Sequence, residues 1–160
     1  MKVDFAVAQA FIKEGTDTVF GLLGDSQLAW WPEMARLGAK IVDARDEGAA
    51  VAMADGWARA TGKVGVASVT HGPGVSRIAT SLITAARYRT PLVVHTGATP
   101  FNKEQALQYL DQEKLVSSTG AGYIEALTPE YAETAVRDAF YRAQVETRPI
   151  VLSKIGRAHV

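Results

Sequence analysis

Short apolar runs rich in β-formers alternate along this chain with longer stretches of helical spacing, and that alternation restricts the fold more than any other feature. Residues 18–23 read TVFGLL, too short for a helix and closed by Gly24. The same signature returns at residues 40–44, 64–70 (VGVASVT), 91–96 (PLVVHT), 122–127 and 149–153 (PIVLS), which predicts six buried strands. Ahead of the first strand, Val3, Val7, Ala10 and Phe11 follow one helix face until Gly15 stops it. Further helical stretches fill residues 27–37, 47–60, 75–87, 103–117 and 129–145. Repetition of this kind builds βαβ units. The expected fold is a three-layer α/β sandwich: a six-stranded, mostly parallel sheet with helices on both faces.

In open parallel sheets a ligand sits beyond the carboxyl ends of the strands. Those ends carry GDS (residues 24–26), ARDE (44–47), THGPG (70–74) and HTGATP (95–100). Composition narrows what they can hold. Basic and acidic residues number 17 each, so nucleic acid and anionic membrane surfaces are poor partners. Cysteine is absent and the three histidines are scattered, so no metal ligand set is expected within these residues. No apolar run reaches the roughly 18 residues of a membrane span, and a soluble, cytoplasmic protein is expected. Two phosphate-loop patterns fail on spacing: Gly62-Lys63 is followed by Val64 rather than Ser or Thr, and GLLGDS offers only Gly21 and Gly24 of a dinucleotide fingerprint.

Several residues have both a plain and a functional reading. Gly72 and Gly74 let backbone approach a ligand, or simply make a tight turn before Pro73 starts a helix. Asp25 is either an N-cap for the helix at residues 27–37 or a crevice acid. His71 and His95 both fall on the predicted crevice. Asp46 and Glu47 open the helix at residues 47–60, where acids suit the helix dipole. That helix is walled with Gly48, Ala49, Ala50, Ala52, Ala54, Gly56 and Ala58, which suits close approach by a neighbouring helix or a partner subunit, and Asp55 and Arg59 form an i, i+4 pair.

Read in order, VFGLLGD, RDEGAAVAMADGWARATGKVGVASVTHGPG and TAARYRTPLVVHTG resemble the N-terminal pyrimidine-binding domain of thiamine diphosphate enzymes, in the acetolactate synthase-like branch of the acetolactate synthase and pyruvate decarboxylase superfamily. The resemblance covers residues 2–153, with Trp57 for a usual Tyr and Asp46 for a usual His in the R-H-E-x-A-A-x-x-A-D-G-Y-A-R-x-T-G pattern. It implies that thiamine diphosphate binds between two subunits of a homodimer or homotetramer, with its pyrimidine on this domain. It further implies that Mg²⁺ and the diphosphate are held by a separate C-terminal domain. FAD is left open, with nothing in these residues to support it.

By the same resemblance Glu47 contacts ring nitrogen N1′ of the aminopyrimidine and activates the cofactor toward a small 2-keto acid. Gly24 and Asp25 lie in a cofactor turn similar to the decarboxylase G-D-x-N-L, where the aspartate moves protons. Thr70, His71 and Gly72 match the T-S-G-P-G loop near the pyrimidine, and Gln112 matches the glutamine of F-Q-E near the substrate, a side His71 shares. Three departures stand out: His71 for Ser and Arg77 for Asn set the chain apart from the synthases, and the adjacent His pair of the decarboxylases is missing from residues 102–113.

Residues 1–154 are therefore expected to form one cofactor-binding domain of a longer enzyme, without turnover of its own. Residues 155–160, IGRAHV, are expected to be translated sequencing adapter rather than part of the fold. A 2-keto-acid decarboxylase, a non-catalytic regulatory protein of the same fold, and a generic α/β nucleotide binder are the competing readings.

Overall fold

The computed structural model describes residues 3–98, 105–126 and 128–154. In chain order these form α1 (Val3–Lys13), β1 (Thr18–Gly21), a 3₁₀ turn (Asp25–Gln27), α2 (Trp30–Arg36), β2 (Lys40–Asp43), α3 (Glu47–Thr61) and β3 (Gly65–Ser68). Then follow α4 (Pro73–Arg77), α5 (Ala79–Arg87), β4 (Leu92–Gly97), α6 (Gln112–Ser118), β5 (Gly122–Ala126), α7 (Pro129–Glu146) and β6 (Pro149–Lys154).

All six expected strands form one sheet, ordered β2-β1-β3-β4-β6-β5, and every pairing is parallel. β4 and β6 are buried at every position. Continuous apolar runs without alternation arise because helices cover both faces. One face packs Phe11 of α1, Trp30 and Met34 of α2 and Phe140 of α7 against Val19, Ile150 and Leu152. The other packs Ala50, Val51 and Ala54 of α3, Leu82 of α5 and Val116 of α6 against Ala67, Val94 and Val151. The three layers thus meet the expectation.

Three helices differ from the sequence reading, each for a local reason. The stretch at 27–37 keeps only α2, because Gln27 turns back on the chain: its Oε1 accepts the Gly24 N–H at 2.9 Å and its Nε2 donates to the Leu22 carbonyl at 3.1 Å, which holds a tight turn instead of a helix start. Gly24, not Asp25, therefore occupies the cap position of that turn, and Asp25 is not an N-cap. The stretch at 75–87 divides at Ile78, whose ψ of −2° and 3.3 Å bond from its N–H to the Val75 carbonyl interrupt the α pattern while burying both side chains. Among the described residues of the stretch at 103–117, α6 alone is helical; it starts where the Asp111 side chain accepts the Lys114 N–H at 3.1 Å, and residues 105–111 precede it as irregular chain. Residues 99–104, which include the end of HTGATP, and residues 155–160 lie outside the described residues.

Candidate cofactor site at the carboxyl ends of the strands

The strand-end loops meet one another through glycines. A Cβ added to Gly24 would lie 2.6 Å from Cβ of Thr70, so the loops after β1 and β3 are in direct contact. The Ser26 hydroxyl donates to Thr70 Oγ1 across the same contact at 3.4 Å. At the end of β4, a Cβ on Gly97 would lie 2.5 Å from Cβ of Ser26 and 3.4 Å from Nδ1 of His71, so both side chains rest on that glycine. Gly72 has φ +66°, a left-handed conformation, and the carbonyl of Gln108 fills the place a side chain would take. Beside it, Gly74 lies 3.6 Å, measured from an added Cβ, from Oε1 of Glu47. Gly24, Asp25, Glu47, Thr70, His71 and Gly72 thereby lie in neighbouring loops at the carboxyl ends of β1, β2 and β3.

The two acids at the head of α3 behave differently. Asp46 caps the helix, accepting the Ala49 N–H at 3.2 Å, and is bound by Arg77 through Nε (2.8 Å) and Nη2. The Arg77 guanidinium, followed by the Ala49 amide, holds the Asp46 carboxyl below the usual carboxylate range. Glu47 does no capping. Its side chain is 14% exposed, and its Oε2 lies 3.5 Å from Nε of Arg77. The helix start thus has its structural acid in Asp46 and leaves Glu47 a shielded carboxylate.

His71 is half-buried, and its Nδ1 is buried without a hydrogen-bond partner. Burial pulls its pKa down from the ordinary value, while the nearby charge of Asp25 pushes it up and that of Lys154 pushes it down. His95, expected on the crevice, is instead a core residue. It is fully buried, stacks on Trp30 at 4.1 Å between ring centroids, and shares a 2.9 Å hydrogen bond between Nδ1 and Ser68 Oγ. The cause is strand register: His95 shares the face that holds Phe11 and Trp30. Burial pushes its pKa well down, helped by the charge of Lys154.

Gln112 is 5% exposed at the head of α6. Its Oε1 accepts the Gly72 N–H at 3.1 Å, and its Nε2 donates to the Gly97 carbonyl at 3.0 Å and to Ser153 Oγ at 3.3 Å. Among the described residues no three His, Cys, Asp or Glu side chains gather as a metal site, and no helix is long and apolar enough to cross a membrane.

The family described as thiamine pyrophosphate enzyme, N-terminal TPP binding domain, matches residues 1–115. The chain belongs to that family. This thiamine diphosphate-binding domain is 41% identical over 92 residues to the acetolactate synthase large subunit of Haemophilus influenzae, a match covering 57% of the chain and 16% of that relative. It is 38% identical over 112 residues to 2-hydroxyacyl-CoA lyase 2 of Danio rerio, covering 69% of the chain and 18% of the relative. To a probable acetolactate synthase large subunit of Methanocaldococcus jannaschii it is 30% identical over 142 residues, covering 88% and 24%. The domain thus spans from about a sixth to a quarter of the length of these relatives.

Sequence reasoning passed over Ser26, Gly97 and Ser153 as individual site residues of the domain. Gly97 carried the available signal, a glycine ending a buried strand, which often marks close backbone approach. Ser153 carried none.

Proposed function

We propose that this domain serves an enzyme of acetolactate synthase-like carboligase or lyase type acting on 2-keto acids, and that Glu47 is the carboxylate that meets N1′ of the cofactor's aminopyrimidine. The carrying observation is the division of labour at the head of α3: Asp46 caps and pairs with Arg77, while Glu47 stands shielded against the crevice. A carboxylate sheltered from water bonds strongly to a weakly basic ring nitrogen. The site suits an aminopyrimidine in one further respect: the buried Nδ1 of His71 still needs a polar partner.

Thiamine diphosphate, when bound, supplies the nucleophilic carbon and the electron sink for bond making or breaking beside a keto carbonyl. The chain's own residues do the rest. Gly24, Thr70 and Gly72 line the cofactor, and Glu47 holds a proton at its carboxylate. Asp25 and His71 move protons on the substrate side, where Gln112 stands behind His71. Mg²⁺ and the diphosphate are held by residues outside this domain.

A second subunit completes the site in a homodimer or homotetramer. Support comes from α3, where Gly48 is packed against the Arg77 carbonyl, 3.2 Å from an added Cβ, while Gly56 meets nothing within 4 Å and Ala49, Ala52 and Ala60 are exposed on the outer side. The enzyme acts in the cytoplasm, residues 1–154 are the domain, and on its own the domain does not turn over substrate.

In the enzyme carrying this domain, Glu47→Gln slows C2 proton exchange of bound thiamine diphosphate by about 10²–10⁴-fold, the usual worth of a positioned acid–base group, whereas Asp46→Asn leaves exchange near the parent rate. Exchange in Glu47→Gln within a factor of a few of the parent overturns the assignment.

A further inference from the structure

We infer that Gln112 is a positioning residue that fixes the His71 loop from two sides, taking the Gly72 N–H with its carbonyl and the Gly97 carbonyl with its amide. This rests on the reading that His71 faces the bound cofactor and substrate.

The orientation of the Gln112 amide is set by its partners. A backbone N–H can only donate and a backbone C=O can only accept, so Oε1 must face Gly72 (3.1 Å) and Nε2 must face Gly97 (3.0 Å). The second N–H of the amide goes to Ser153 Oγ at 3.3 Å, and that hydroxyl donates in turn to the Gly97 carbonyl at 3.1 Å. Both donors of Gln112 are then spent, and one lone pair on Oε1 remains. The carboxylate and the keto oxygen of a 2-keto acid are acceptors, and Gln112 has no N–H left to offer them. Its influence on a substrate therefore passes through what it holds.

What it holds is the frame of His71. Gly72 is the residue after His71, and its left-handed backbone is covered by the Gln108 carbonyl, so its N–H has no freedom to turn elsewhere. Gly97 is the floor on which the imidazole Nδ1 and Ser26 rest, at 3.4 Å and 2.5 Å from an added Cβ. One buried amide thus ties the ends of β3, β4 and β6 together beneath the imidazole. The groups whose charges act on that imidazole are Asp25, from the loop after β1, and Lys154, from β6. Glutamate could keep the acceptor half of this arrangement but not the donor half, and methionine could keep neither.

The test uses the ligand-free chain and reads two NMR signals, hydrogen exchange of the Gly72 amide and the pH titration of the His71 ring protons. With Gln112→Met, Gly72 exchange rises about ten-fold, the worth of one lost hydrogen bond, and the His71 midpoint moves up toward its ordinary value of 6.5 while His95 stays in place. With Gln112→Glu, Gly72 keeps its protection and His71 still moves. Should Gln112→Met fail to fold, Ser153→Ala, which removes one supporting hydroxyl, gives the same His71 shift at smaller size. Unchanged Gly72 exchange and an unchanged His71 midpoint in the folded variants overturn the positioning role. So does a uniform rise in exchange across the sheet with His95 shifted as well, since that marks a general core residue. Calorimetric titration of the enzyme carrying this domain with thiamine diphosphate and Mg²⁺ separates the two readings: no binding, with both NMR signals as expected, refutes the cofactor reading and leaves the positioning role standing.

Discussion

Replacing Gly72 by alanine tests whether the crevice is built by backbone approach rather than by turn chemistry alone. Two costs are separable in the structure. At φ +66° and ψ −106°, outside the αL well, an L-residue loses about 1–3 kcal/mol relative to glycine. The new methyl would also overlap the Gln108 carbonyl, and overpacking a filled space costs a further 1–3 kcal/mol or so. Gly62 supplies a partial internal control: at φ +72° and ψ 5° it sits in the αL well and nothing lies within 4 Å of an added Cβ, so alanine there meets only the αL cost of about 1–2 kcal/mol. For a chain of 160 residues each kcal/mol lowers Tm by about 2–4 °C. Gly62→Ala is then expected to lower Tm by about 2–8 °C, and Gly72→Ala by about 4–24 °C. Thermal unfolding of the two variants, followed in parallel by calorimetry and far-ultraviolet circular dichroism, measures both. Equal losses would refute the reasoning, because they would mean that the segment carrying Gln108 yields without resistance.

Two further outcomes are expected. Because burial and Lys154 depress the pKa of His95, the unfolded chain binds a proton there more readily than the folded one, so stability is full above pH 6.5 and falls as pH drops below it by up to about 1.4 kcal/mol per unit; denaturant titrations of parent and His95→Gln between pH 7.5 and 5 check this, with the variant giving the flatter profile. In the enzyme carrying this domain, Gly97→Ala drives a methyl into Ser26 and His71, so it should weaken thiamine diphosphate binding by about ten-fold or more in calorimetry while keeping the far-ultraviolet spectrum; unaltered affinity in a folded variant would remove Gly97 from the site.

Most of the architecture was legible because the strands are buried on both faces. TVFGLL, PLVVHT and PIVLS carry no polar alternation, and each became a strand within two or three residues of its expected bounds. What failed was governed by side chains that recruit the backbone. Gln27 bends the chain into a 3₁₀ turn through two hydrogen bonds, a choice its residue type does not announce. The same limit explains His95, since its position near a strand end suggested the crevice and only the register reveals Trp30 stacked on it. Asp46 and Glu47 were set apart in the sequence only by the family resemblance, and the α3 geometry gives the cap to Asp46. Gln112 was legible only as a match to a family motif. Its three partners come from loops and strands far apart in the chain, and no local pattern signals such a meeting.

The sheet order carries a kinetic consequence. β6, the last strand described, is inserted between β4 and β5, and β5 has β6 as its sole neighbour in the sheet. β6 also ends in Lys154, buried against Asp4 of the first helix at 2.5 Å. A nascent chain emerging from the ribosome can therefore join β1 to β4, but it must leave β5 and one long edge of β4 unpaired until the final strand is released. Such open edges invite pairing with other chains. The slot that β6 fills makes closure of the sheet the last step in this domain's own assembly, and makes the waiting intermediate the species that chaperones would have to shield.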